Sequence, residues 1–130
     1  EQKAMYSHNM VGSNDLEASK KFYDATFQAI GGKPAIVDDK GRLIYMHNGG
    51  LFLGGAPIDG EPATCANGAT IGFKCSSPEQ AKHFHDVAVA AGGTSIEDPP
   101  GLRTSTLGSL YLAYVRDPDG NKLCALYRPR

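Results

Sequence analysis

The stretch from His8 to Gly31 occurs twice, and its second copy constrains the fold more than any other feature. HNMVGSNDLEASKKFYDATFQAIG begins at His8, and TIGFKCSSPEQAKHFHDVAVAAGG begins at Thr70, a displacement of 62 residues (70 minus 8). Under it Glu17 falls on Glu79, Lys20 on Lys82, Phe22 on Phe84, Asp24 on Asp86, Ala29 on Ala91 and Gly31 on Gly93. Each copy is a short apolar run that enters a capped helix and ends in glycine. A repeated supersecondary unit of this size cannot bury its apolar face alone and needs its neighbour. A chain of 130 residues holds two such modules around one core. The groove between them is then the expected seat of function.

The rest of the chain completes each module. Met5 to Val11 suits a strand that puts Tyr6, His8 and Met10 on one face. Ser13-Asn14-Asp15 with Glu17 reads as a capping box, and Leu16, Tyr23, Phe27 and Ile30 recur at helical spacing. Three strands follow: Pro34 to Val37, Arg42 to His47, and Leu51 to Gly55 after the Asn48-Gly49-Gly50 turn. A stretch rich in Pro, Gly and small residues then separates the modules. The second module opens with a strand from Thr70 to Cys75. A helix follows from Ser77-Pro78, with Ala81, Phe84, Ala88 and Ala91 on its apolar face. Thr94 to Glu97, Leu110 to Arg116 and Lys122 to Tyr127 are its remaining strands. Leu102 to Ser109 is expected as a loop at the rim of the groove. The first module is assigned to residues 5–56, the linker to 57–69 and the second module to 70–128. Met5 is a candidate natural start, which would leave residues 1–4 as an addition.

Lys plus Arg number 13 against 14 Asp plus Glu, with no basic run, which argues against nucleic acid as a partner. No apolar stretch is long enough to span a bilayer, and no membrane partner is expected. Three cysteines without short spacing make no disulfide framework, so a cytoplasmic protein with reduced thiols is expected.

Two βαβββ modules, His8 seven residues before Asp15, LEASKKFYD in the first helix and DPDGN before the last strand together resemble the vicinal oxygen chelate superfamily. That family contains glyoxalase I, extradiol dioxygenases, fosfomycin-resistance enzymes and bleomycin-resistance proteins. The resemblance runs from Met5 to Tyr127. It implies an α+β fold in which the two modules form facing half-barrels around a cavity, with the helices outside. It also implies a small-molecule ligand and a homodimer. Family enzymes hold a divalent metal with residues from the opening strand and a late strand of each module, leaving positions open for two oxygens of the substrate. His8 stands at the first ligand position. Thr70 stands where a second His is usual, and Cys124 where a carboxylate is usual. Leu51 to Gly55 contains no ligand residue. The metal site is therefore expected to be degenerate, with His8 its one ordinary ligand.

Candidates for the cavity lining are Tyr6, His8, Met10, Thr70, Gly72, Lys74, Arg103, Tyr111, Tyr114 and Cys124. Lys74, Arg103 and Arg42 are candidates for holding a substrate carboxylate, as basic residues do in glyoxalase I. Cys124 reads more simply as a small buried apolar residue than as a nucleophile. His47 reads as an exposed strand-end residue. His83 and His85, two apart on the second helix, read as surface or rim residues. Two functions follow. One is a glyoxalase-like lyase or isomerase, or another dioxygenase-family reaction. The alternative is a metal-free module that sequesters a small apolar or aromatic compound.

Overall fold

The computed structural model describes residues 5–129, so the reading of residues 1–4 lies outside it. The first module is β1 (Asn9–Gly12), α1 (Leu16–Ala29), β2 (Ile36–Val37), β3 (Leu43–His47) and β4 (Gly50–Gly55). The second is β5 (Ile71–Lys74), α2 (Pro78–Ala90), β6 (Thr94–Ser105), β7 (Gly108–Arg116) and β8 (Lys122–Tyr127). The two sheets have the same topology, β1-β4-β3-β2 and β5-β8-β7-β6, and neither closes into a barrel. In each, the opening strand runs parallel to the last one because a helix carries the chain back between them. The α+β fold of two tandem βαβββ modules is thus the one expected from the repeat.

Strand alternation decides what each face meets. Val11, Leu43, Tyr45, Phe52, Ala113, Val115, Leu123 and Ala125 point to the helices and are buried. Met10, Ile44, Leu53, Gly72 and Tyr114 alternate with them on the opposite, open face. The helices pack against each other as well as on their sheets, so one core serves both modules. Phe73 of β5 joins the halves, lying edge-on to Phe27 at 5.5 Å, near Phe52 at 5.6 Å and against Phe84 at 5.4 Å.

Several local expectations are corrected. The N-cap of α1 is Asp15, whose carboxylate accepts the Ala18 N–H at 3.0 Å. Asn14 instead exchanges two hydrogen bonds with Ala63 and pins the linker to the start of the helix. Leu102 to Ser109 is no loop: β6 passes through Asp98-Pro99-Pro100-Gly101 by a register shift and pairs with β7 as far as Ser105 and Gly108. His85 is buried, because Ala81, Phe84, His85 and Ala88 form one stripe at spacings of three and four. Its Nε2 lies 2.8 Å from Ser95 Oγ and its Nδ1 3.0 Å from Asp86 Oδ1.

The repeat extends to electrostatics. Lys20–Asp24 and Lys82–Asp86 are equivalent i,i+4 pairs at 2.7 and 2.6 Å. In the first module Asp24 also accepts the Ala35 N–H at 2.9 Å and the Tyr45 hydroxyl at 2.7 Å. Burial pulls the Asp24 carboxyl upward, but these three donors outweigh it and hold the pKa below the usual value. A carboxylate with a lowered folded-state pKa contributes stability that is complete above its unfolded pKa and is lost as pH falls through the folded one. Tyr45→Phe removes one of the three donors. Its acid-unfolding midpoint is expected at higher pH than the wild type's, measured by far-UV circular dichroism; an unchanged midpoint would show that Lys20 and Ala35 suffice.

Candidate functional site

On the open face of the second sheet, Cys124 lies between Gly72 of β5 and Tyr114 of β7. A Cβ built on Gly72 would meet no atom within 4 Å, so the strip beside the thiol is open. Lys122 Nζ sits 4.8 Å from the centre of the Tyr114 ring and the Arg103 guanidinium 5.9 Å from it. Lys122 is also ion-paired with Glu97, which has a positive φ of 60° beside the β6 irregularity. Arg103 is committed to the backbone. Its Nη1 donates to Leu112 O at 2.7 Å, and its Nη2 donates to Asp98 O at 2.8 Å and Pro99 O at 3.0 Å. It staples the bulge shut and has little left for a substrate carboxylate.

Burial pushes the Cys124 thiol up, and the nearby Tyr114 hydroxyl only partly opposes that. Cys75 is pushed further, to about 11, again by burial. Neither is a thiolate near neutral pH, and the thiolate is the reactive form. Cys65, half-buried in the linker, is therefore expected to react first with an aromatic disulfide reagent, with the other two lagging at least tenfold until the chain unfolds. Three thiols titrating together under native conditions would refute that order.

The open face of the first sheet is apolar. Met10, Leu53, Ile44 and Ile36 run across it in register. Beside this row the linker folds over the end of the sheet and borders an open hollow of about 850 Å³. Met10, Arg42, Gly55, Pro57 and Ile58 line it. Gly12 is needed for clearance, since a Cβ there would lie 2.8 Å from Ala63 Cβ; one on Gly55 would press on the flexible side chains of Arg42 at 3.0 Å and Met10 at 3.2 Å. Arg42 is held at the rim by Asp38, with Nε–Oδ2 at 2.7 Å.

Tyr6, His8, Thr70 and Lys74 are exposed along the opening strands and their approaches. His8 Nδ1 lies 2.8 Å from Ser7 Oγ. Tyr111 is corrected: it is three residues from Tyr114 on one strand, so it points the other way and packs against the core. Lys122, Glu97, Gly55 and Pro57 were not among the candidates. Lys122 could have been found, since it lies two residues from Cys124 on β8 and so shares its face; the linker's path could not.

The divalent ion that the resemblance implies does not fit these residues. His8 is accompanied by a neutral Thr70 hydroxyl and a Cys124 thiol that burial keeps protonated. Leu51 to Gly55 supplies no donor side chain. Among the described residues no three His, Cys, Asp or Glu side chains group to hold a metal.

Residues 6–125 match the model of the Glyoxalase/Bleomycin resistance protein/Dioxygenase superfamily. The chain belongs to that superfamily. A glyoxalase/bleomycin resistance protein from Albidiferax ferrireducens T118 is 53% identical and superposes with a TM-score of 0.93, over 96% of this chain and 100% of that one. A glyoxalase-related enzyme from Fulvimarina pelagi is 22% identical, with a TM-score of 0.72 over 97% of this chain and 90% of its own. A virulence protein from Salmonella typhimurium is 20% identical, with a TM-score of 0.68 over 99% and 100% of the two chains. At those lower identities the likeness is one of fold. No curated protein matches the chain. Superfamily membership accounts for the paired modules, while the chemistry rests on the side chains described above.

Proposed function

We propose that this superfamily member binds and sequesters a small apolar or aromatic compound without a metal centre. The carrying observation is the hollow walled by Met10, Gly55, Pro57 and Ile58, beside an apolar row of strand residues. Its lining combines this apolar surface with the charged Lys40, Arg42, Asp59 and Glu61, and a concave site of that kind suits a small organic ligand. The donor set offers no coordination sphere for an ion that would stabilise an enediolate, so glyoxalase-like lyase chemistry is the less favoured reading.

The ligand site is proposed to work in a homodimer. Ile36, Val37, Met46, Leu102 and Leu107 are each more than half exposed on the sheets and the β6–β7 hairpin, apolar surface that a second copy would cover. Three free cysteines suit a reducing, cytoplasmic setting.

The expected result with purified, untagged protein is no stoichiometric Ni, Zn, Fe or Mn and no turnover of the methylglyoxal–glutathione adduct. A screen of aromatic compounds is expected to contain at least one that raises the melting temperature, since a ligand confined to the folded state stabilises it. Met10→Lys would abolish that shift. One bound metal per chain, lost in His8→Ala, would overturn the metal-free reading.

A further inference from the structure

The two modules share one topology, yet their junctions are closed differently. Tyr45 corresponds to Val115 and Phe52 to Leu123, because Phe52 pairs with Asn9 and Leu123 with Ile71, the repeat equivalent of Asn9. His47 therefore corresponds to Asp117, and Gly50 to Asn121. At the start of α1 the second module's turn reaches across and fills the junction. Asp119 Oδ1 accepts the Asn14 N–H at 2.8 Å, and Asp119 Oδ2 accepts the Ser19 hydroxyl at 3.1 Å. Asn121 Nδ2 donates to Gly12 O at 3.1 Å.

At the start of α2 the equivalent turn, between β3 and β4, is one residue shorter and carries no carboxylate. Ser76 stands where Asn14 stands, and its N–H turns back to Gln80 Oε1 at 2.7 Å. What remains is a crevice of about 590 Å³ between that turn, β5 and α2. Phe27, Phe52 and Phe73 form its apolar interior, and His47, Lys74 and Gln80 stand at its mouth. No acidic residue lines it. Lys74 is exposed, and no ion pair among the described residues includes it.

We propose that this crevice is a second ligand site, separate from the hollow under the linker, and that it takes a small aromatic carboxylate. The ring lies against the phenylalanines. The carboxylate meets the Lys74 ammonium at the mouth, doing with an external group what Asp119 does from within the chain at the other junction. An apolar crevice with one unneutralised cation discriminates by charge as well as by shape.

Cinnamate and its neutral amide serve as probes, with binding followed by backbone amide NMR and calorimetry on the full chain. Cinnamate is expected to saturate below about 10 mM and to shift the amides of Asn48, Ser76 and Gln80. Lys74→Gln should weaken cinnamate about tenfold, the size of one charge-assisted hydrogen bond, and change the amide's affinity less than twofold. Lys21→Gln, which removes an exposed cation on α1 away from both cavities, should leave cinnamate binding unchanged. The proposal is overturned if cinnamate does not saturate, if Lys74→Gln binds it as the wild type does, or if the shifts fall on Tyr114 and Cys124. It is equally overturned if the crevice amides shift with protein concentration alone and then ignore cinnamate, which would give the crevice to a second copy of the chain.

Discussion

Asp117→Ala is expected to destabilise the protein by about 3–5 kcal/mol, more than any single change on the open faces. Asp117 is 4% exposed, and its carboxylate receives four hydrogen bonds. Oδ1 accepts the N–H groups of Asp119 and Asn121, at 2.9 and 2.8 Å, and shapes the turn. Oδ2 accepts the Asn121 side-chain amide at 2.8 Å and the Tyr23 hydroxyl at 2.6 Å. Tyr23 comes from the other module and is fully buried. Burial, then the Asp117 carboxylate, pushes its phenol well above the ordinary value, so it remains a donor throughout the working pH range. Truncating Asp117 takes the acceptor from the Tyr23 hydroxyl and from the Asp119 and Asn121 N–H groups, and leaves the Asn121 amide with Gly12 O alone, at about 1–3 kcal/mol for each orphaned group. Urea unfolding should show a lower midpoint, and the melting temperature should fall by roughly 10 °C or more. Tyr23→Phe removes one donor and orphans nothing, and should cost less than half as much. Equal losses in the two variants would mean that the turn, rather than the link between modules, carries the effect.

Gly93→Ala is the second large effect, at about 3 kcal/mol, the upper range for overpacking a rigid site. A Cβ at Gly93 would lie 2.7 Å from Phe22 Cε1 and 2.8 Å from the carbonyl oxygens of both Ala88 and Arg116. Two of these three neighbours are backbone, one at the end of α2 and one in β7, so relief requires a helix or a strand to move. Gly72→Ala is the control. Its added methyl meets nothing within 4 Å, and thermal unfolding should change by less than about 0.5 kcal/mol. If both substitutions proved equally mild, the junction of α2 with β7 would be softer than its packing implies.

The architecture was legible because the repeat carries its own boundaries: capping residues, apolar spacing and glycine stops recur in step. Within the repeated strand–helix segment the register is lost where α2 ends one residue early. The left-handed glycines are Gly31 and Gly92, not Gly31 and Gly93. Phe22 was recognised as a repeated residue but not as core, and His85 was placed at the surface, because a polar residue on a helix stripe is invisible to apolar counting. Its burial depends on Ser95 and Asp86 as partners, which lie on the neighbouring strand and the helix itself. Tyr111 and Tyr114 could have been separated by strand parity alone. Arg103 could not have been assigned to the bulge, since its acceptors are carbonyls whose positions depend on the register shift in β6. The DPDGN motif was legible as a turn but not as a clasp, because its partners lie in the other module.

That clasp has a bearing on how the chain reaches its native state. Its hydrogen bonds join residues 94, 105 and 109 positions apart in sequence. Non-local pairings must meet the entropy of closing a long loop before they return any stabilisation, and chains rich in them fold slowly. During synthesis the first module must wait, with Gly12 O and the Tyr23 hydroxyl unmatched, until nearly all of the second has emerged. A chain stopped short of Asn121 would lack β8, the strand between β5 and β7, so the second sheet could not close and the species would be incompletely docked and aggregation-exposed.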